Sequence, residues 1–197
     1  LKNKKEKLFD GVSINSKIIK KNNLFIAIKG KTKDGHNFLY EAINKGANYC
    51  VVSKNIKKKF NPIKVKNTFN FLKTFSKKKR EASSAKFVAI TGSAGKTTLK
   101  TMLGNLLKLY SKTFFSPLSY NNHYGVPLSL SNIKPDDNFG VFEVGMSKFN
   151  EIFKLSSIIK PDIGIITNIS EAHLENFKDI SDIAKAKSEI IYNIKKD

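Results

Sequence analysis

The chain has 197 residues, 40% of them apolar and 26% charged, with Lys+Arg 36 against Asp+Glu 16 and a formal net charge of +20. This is the composition of a globular protein rather than a disordered one, and the length suffices for one large domain or two small ones. No run of about 18 apolar residues is present, which excludes a membrane-spanning helix; the amino end, residues 1–9, carries charge with no apolar stretch behind it, so no secretory signal is expected.

A strongly basic chain invites a nucleic-acid reading, because clustered cations release counterions from a phosphate backbone. Arg80, however, is the only arginine, and it is the guanidinium fork that reads guanine and phosphate bidentately. The lysines are spread through every segment among many Asn and Ile residues, a pattern that biased codon usage also produces. No nucleic-acid partner is expected, and small anionic substrates would profit from the same field.

Taken in chain order, residues 24–28 (Leu-Phe-Ile-Ala-Ile) predict a buried strand. Residues 38–46 place Phe38, Leu39, Ala42 and Ile43 on one helical face, with Gly46 suited to the position just past the helix end. Residues 49–52 predict a second strand, in which the sole cysteine, Cys50, is expected to be a small buried thiol. An apolar-basic stretch over 69–75 then runs into the charge run Lys77–Arg80 and the polar residues 81–84. That shift in composition predicts a domain boundary, giving domains 1–84 and 85–197.

Beyond Lys86 the pattern repeats as strand, loop, helix. Strands are predicted at 87–91, 113–115, 140–144 and 163–167, and helices at about 97–109, 150–159 and 180–194. Such alternation predicts an α/β fold, a parallel sheet covered by helices.

Three clusters carry chemistry. In residues 87–98 an apolar strand is followed by Gly92-Ser93-Ala94-Gly95 and then Lys96-Thr97-Thr98 at a helix start. Glycines let successive N–H groups face phosphate oxygens, the helix N-terminus adds its positive end, Lys96 would reach the terminal phosphates and Thr97 would ligate Mg²⁺. The two glycines enclose two residues rather than the usual four, so the flanking strand and helix carry the prediction. Next, Glu143 lies within the apolar strand Val141-Phe-Glu-Val144. A carboxylate there is costly unless paired or metal-bound, which makes it a candidate second Mg²⁺ ligand or else a strand-edge residue facing solvent. In the third cluster, residues 165–190, His173 follows a strand and Lys187 sits on a helix; by themselves they read as a structural histidine and a solvated lysine.

Five ordered segments together resemble the Mur ligases: Thr91–Thr98, Tyr120-Asn-Asn-His-Tyr-Gly-Val-Pro-Leu128, Phe142-Glu-Val-Gly-Met146, Thr167-Asn-Ile-Ser-Glu-Ala-His-Leu-Glu175 and Ala184-Lys-Ala-Lys-Ser-Glu-Ile190. Asn15-Ser-Lys17, Leu24–Gly30 and Asp34-Gly-His-Asn-Phe38 agree with the same family. The resemblance implies a cytoplasmic, monomeric ligase of peptidoglycan synthesis that uses ATP and two Mg²⁺ ions. It is closest to the branch that joins D-alanyl-D-alanine to UDP-N-acetylmuramoyl-tripeptide through an acyl phosphate. The alternatives are a sister ligase adding the third peptide residue and, from a different class, a basic non-catalytic nucleic-acid-binding module.

By this resemblance, residues 92–98 bind ATP, with Lys96 on the phosphates, and Thr97 and Glu143 hold one metal. His173 and Lys187 serve the second, Lys187 as a carbamate. Ser16, Lys17, Lys31 and Thr32 match the uridine-diphosphate pocket, and Asn121, Asn122 and His123 lie in a loop facing ATP and the sugar-peptide. Lys17 stands where the family usually has arginine, which implies a point charge in place of a fork and a weaker hold on the uridine nucleotide. The chain also ends ahead of the family's adenosine-contacting segment and third domain, so the expectation is a fragment that binds without turning over.

Overall fold

The computed structural model describes residues 8–171 and 174–195. The chain divides into two compact units, Leu1–Phe75 and Ser76–Asp197.

In the first unit, β1 (Gly11–Ser13), β2 (Asn23–Ile26), β3 (Ala47–Val52) and β4 (Pro62–Lys64) form a parallel sheet in the order β1-β2-β3-β4. Helix α1 (Leu39–Asn44) buries Leu39 and Ala42 against Phe25, Ala27, Cys50 and Val52. It ends as anticipated: Gly46 takes φ +102°, its N–H donates to Ile43 O at 2.9 Å, and a Cβ there would lie 2.8 Å from Lys21 Cα. Burial pushes the Cys50 thiol up to about 11, as expected of an inert core cysteine. The stretch after β2 is held by a buried histidine: His36 Nδ1 lies 2.6 Å from Asp34 Oδ1, and Ser53 N–H donates to Nε2 at 3.0 Å. Both ring nitrogens of His36 are thus occupied by structural partners.

Helix α2 (Thr68–Glu81) spans the stretch whose composition shift suggested a boundary, and the division between the units falls within it. Its buried positions are Thr68, Leu72, Ser76 and Arg80, four residues apart. Because three of the four are polar, no apolar period betrays the helix in the sequence.

The second unit holds β5 (Lys86–Thr91), β6 (Thr113–Phe115), β7 (Phe139–Glu143) and β8 (Ile163–Ile166), all parallel, in the order β6-β7-β5-β8. The residues of β5 alternate between two apolar faces, which explains their unbroken apolar run. Val88 and Ile90 pack with Leu99, Leu103 and Leu107 of α3 (Lys96–Tyr110). Phe87 and Ala89 face the opposite way, into a core shared with α4 (Gly125–Ser131), α5 (Glu151–Ile159) and α6 (Ile180–Ser188). The helix expected over 180–194 changes to a 3₁₀ turn at Glu189–Asn193. Helix α4 has no counterpart among the predicted elements: all seven of its residues are buried, so no polar face marks its period, and Pro127 lies within it.

The only arginine is structural. Arg80 is buried, donating from Nε to Ile159 O at 2.5 Å and from Nη2 to Lys160 O at 2.8 Å, with its guanidinium 3.9 Å from the centroid of Phe87. It satisfies carbonyls at the carboxyl end of α5, where the chain leaves the helix with Lys160 at φ +47°. One ammonium cannot reproduce this fork, so Arg80→Lys is expected to cost about 1–3 kcal/mol of stability. Chemical denaturation of the folded chain measures it, and an unchanged midpoint would contradict the assignment.

Candidate functional site

The site is built at the carboxyl end of the second sheet, where parallel α/β sheets place ligands. Strand β5 delivers the chain at Thr91 into the turn 92–95, and α3 starts at Lys96. Gly92 (φ +144°) and Gly95 (φ +78°) both occupy backbone conformations that L-residues rarely adopt. At Gly92 a Cβ would also overlap Thr167 Oγ1.

The end of β8 buttresses this turn. Ser93 N–H donates to Asn168 O (3.0 Å), Ala94 N–H to Asn168 Oδ1 (2.9 Å), and Thr167 Oγ1 to Ala94 O (2.6 Å). Ser93 Oγ adds a reciprocal pair with Ser170, at 2.9 and 3.0 Å. Helix α3 begins without a side-chain cap, which leaves its first amides available to an anion. The Lys96 ammonium lies on the turn itself, 2.7 Å from Gly92 O and 3.2 Å from Ser93 O, and Thr98 follows in the first turn of the helix.

Glu143, the last residue of β7, is 1% exposed. Its carboxylate accepts from Thr97 Oγ1 at 2.7 Å and from Asn121 Nδ2 at 2.7 Å, and Lys100 Nζ stands 3.7 Å away. The sequence placed these groups 46 and 22 positions apart, and the fold brings them into contact. Glu143 is therefore no strand-edge residue facing solvent. Burial lowers the Lys100 ammonium below the ordinary lysine range, while Glu143 opposes that shift.

A cavity of about 630 Å³ opens beside the turn, with Gly92, Ser93 and Lys96 on one wall and Asn121, Asn122, His123 and Lys187 on others. Asn121 and Asn122 also have internal tasks. Asn121 O accepts from Gly145 N–H at 2.8 Å, and Asn122 Oδ1 caps α4 by accepting from Tyr124 N–H (3.0 Å) and Gly125 N–H (2.9 Å). The His123 ring packs 4.2 Å from that of Tyr124.

Lys187, on α6, is buried rather than solvated, and desolvation, with the Lys96 ammonium as second cause, lowers it to about 8. Two residues on, Glu189 locks this region to α5, accepting from Asn150 N–H at 2.7 Å and Phe153 N–H at 3.0 Å. His173 lies outside the described residues.

In the first unit, Ser16 and Lys17 sit in a 3₁₀ turn after β1, and Lys31 and Thr32 in an exposed turn after β2. Both turns therefore follow the carboxyl ends of adjacent parallel strands. Ser16 is buried and donates to Glu41 Oε2 at 2.7 Å, while Lys17 is exposed.

Sequence reasoning passed over Lys100, Asn168 and Glu189. Lys100 is one lysine among many, distinguished only by its place one helical turn after Lys96. Asn168 and Glu189 act through partners 74 and 39 residues away.

A parallel sheet with a left-handed glycine turn, a lysine at the following helix start and an acidic residue ending the neighbouring strand defines an α/β protein of the P-loop type. Residues 90–197 match the family model described as Mur ligase middle domain, and residues 8–92 match the one described as Mur ligase family, catalytic domain. The chain belongs to the Mur ligase family. It is 44% identical over 187 residues to the UDP-N-acetylmuramoyl-tripeptide--D-alanyl-D-alanine ligase of Rickettsia prowazekii, covering 94% of this chain and 41% of that protein. Its fold is similar to that of MurF from Acinetobacter baumannii (TM-score 0.83, 32% identity, 95% of this chain, 41% of the other). It is likewise similar to the MurF ligase from Thermotoga maritima in complex with ADP (TM-score 0.78, 34% identity, 95% of this chain, 44% of the other). The chain thus spans about two fifths of the length of these relatives.

The two glycines of the turn differ in what a side chain would meet. Gly92→Ala combines a forbidden φ with the overlap on Thr167 and is expected to cost about 3 kcal/mol. Gly95→Ala, whose Cβ would find its nearest neighbour at 3.9 Å, is expected to cost about 1 kcal/mol. Urea denaturation of the two variants checks the order, and equal losses would contradict the buttressing geometry.

Proposed function

We propose that this chain supplies the uridine-nucleotide-binding and ATP-binding parts of a cytoplasmic, ATP-dependent amide ligase of peptidoglycan synthesis. The reaction joins D-alanyl-D-alanine to UDP-N-acetylmuramoyl-tripeptide. The observation that carries the reading is the left-handed turn 92–95 with Lys96 lying on it and the Thr97 and Glu143 oxygens in contact alongside. The names of its relatives support the choice of substrates.

In this scheme the tripeptide carboxylate takes the γ-phosphoryl group of ATP, releasing ADP, and the amine of D-alanyl-D-alanine then displaces phosphate from the acyl phosphate through a tetrahedral intermediate, losing its proton as the amide forms. Such a transfer asks the protein to position groups and neutralise charge, so no nucleophilic side chain is needed. Lys96 and the uncapped first amides of α3 hold the phosphates. Ser16, Lys17, Lys31 and Thr32 hold the uridine diphosphate, and Asn121–His123 face the cavity in which the phosphates and the sugar-peptide meet.

The donor set fits Mg²⁺. Thr97 Oγ1 and Glu143 Oε2 are hard oxygens already 2.7 Å apart, and this cation commonly takes one or two protein oxygens and completes its shell with phosphate and water. Among the described residues no group of three or more His, Cys, Asp or Glu could hold a metal ion. When bound, the ion would supply charge neutralisation on the transferred phosphoryl group. Lys187, with His173, would serve a second ion as a carbamate, formed when the neutral amine adds to CO₂ and releases a proton.

Lys96→Ala is expected to weaken nucleotide binding about 10- to 100-fold, the cost of removing charge-assisted bonds to phosphate, without unfolding the chain. Titration of the folded variant with a fluorescent ATP analogue and Mg²⁺ tests this, and unchanged affinity would refute the phosphate-loop assignment. For Lys187, the value of about 8 means that neutral amine, the form that reacts with CO₂, becomes abundant as pH rises through 8. A carbamate carbonyl resonance in ¹³C-bicarbonate is therefore expected to be stronger at pH 8.5 than at pH 6.5 and absent from Lys187→Arg. A signal that survives that substitution would rule Lys187 out.

A further inference from the structure

The mechanism above gives no task to the buried ammonium of Lys100. Lys100 is 1% exposed, among the largest fully buried side chains of the described residues, although the chain is rich in lysines that stand in solvent. It lies on α3 one turn beyond Lys96. Its Nζ donates to Leu118 O and stands 3.7 Å from Glu143 Oε2.

Both partners are unusual. Leu118 is a non-glycine residue at φ +47°, with its side chain 75% exposed. At this point the loop between β6 and α4 adopts a disfavoured backbone that turns an apolar side chain into solvent and a carbonyl onto a buried cation. Glu143 is the carboxylate assigned above to Mg²⁺. It also accepts from Asn121 of the same loop at 2.7 Å, and that loop is pinned again where Gly145 N–H donates to Asn121 O at 2.8 Å.

We propose that Lys100 is a positioning residue that ties the Glu143 carboxylate to the backbone of the 117–122 loop, so that the metal-ligating oxygen and the cavity-lining Asn121–His123 are held as one body before nucleotide arrives. The proposal rests on the reading of Thr97 and Glu143 as Mg²⁺ ligands. Thr97 and Asn121 bring only neutral hydrogen-bond donors to Glu143; Lys100 brings the positive charge. An apolar side chain would fill the same volume without a desolvation cost, but it would leave Glu143 without a counter-charge and Leu118 O without a donor. Lys100 is not among the residues that line the cavity; it acts through the two groups it holds.

Two kinds of readout, one without ligand and one with it, test this on the 197-residue chain. The first needs no ligand: amide hydrogen exchange at residues 119–122 is expected to quicken at least 10-fold in Lys100→Met. Thermal unfolding should be lowered by Lys100→Met and by Glu143→Gln singly, and by less than their sum in the double variant, because removing both charges leaves none buried alone. The second is the Mg²⁺ concentration that half-saturates binding of a fluorescent ATP analogue. It is expected to rise about 10-fold in Lys100→Met, while affinity for the analogue without Mg²⁺ stays within twofold. Should Lys100→Met fail to fold, the double variant still reports loop exchange, which must quicken for the proposal to stand. Unchanged exchange together with an unchanged Mg²⁺ requirement would reduce Lys100 to a passive buried charge and overturn the proposal, as would strictly additive unfolding shifts. Wild-type chain that binds nucleotide with no Mg²⁺ dependence would instead sink the metal reading of Glu143, a failure that the ligand-free exchange and unfolding data separate from failure of the tie.

Discussion

The second unit is organised around a carboxylate that is almost wholly removed from water. Glu143 ends the strand β7, and a charge so placed is stable only if donors converge on it. Two do, Thr97 from α3 and Asn121 from the loop after β6, and the Lys100 ammonium of α3 stands 3.7 Å away as a counter-charge. Each donor fixes a piece of the cavity wall. Thr97 sets the register of the helix that starts at Lys96, and Asn121 draws its loop over the end of the sheet. The requirement to satisfy one buried charge thus becomes a means of placing several surface groups.

The sheet order explains why those elements can meet. With β5 and β7 adjacent at the centre, the connections leaving β5, β6, β7 and β8 all emerge at the same carboxyl edge. The turn after β5 is braced from one side by Thr167 and Asn168 at the end of β8, and the carboxylate ending β7 lies on the other. A strained glycine turn keeps its shape only if its neighbours over-determine it. Here they do so through five hydrogen bonds between the turn and Thr167, Asn168 and Ser170.

The charge composition acquires a different meaning once positions are known. The single guanidinium is spent on carbonyls at the end of α5, where its fork geometry is needed, and two buried ammonium groups, Lys100 and Lys187, face the site region from opposite sides of the sheet. The remaining lysines raise the net charge without specifying a surface. Bulk charge was therefore a poor guide to function, whereas the few buried cations are informative because each must have a reason to be out of water.

What could be read from the amino-acid order alone was local. The strands at 87–91, 113–115, 140–144 and 163–167 were legible within a residue or so because a parallel strand apolar on both faces leaves an uninterrupted run, and α3, α5 and the Gly46 helix stop because period and punctuation are short-range signals. The glycine turn with Lys96 and Thr97 was legible for the same reason. Three-residue strands such as β1 and β4 are too short to show a period, α2 buries Thr68, Ser76 and Arg80 where an apolar stripe would be sought, and α4 has no polar face. Which lysines are buried, that Asn168 braces a turn 74 residues away and that Lys100 reaches Glu143 were decided only by the tertiary structure. Hydrogen bonds and ion pairs between distant segments depend on how the strands are ordered in the sheet, and that order leaves no periodic trace along the chain.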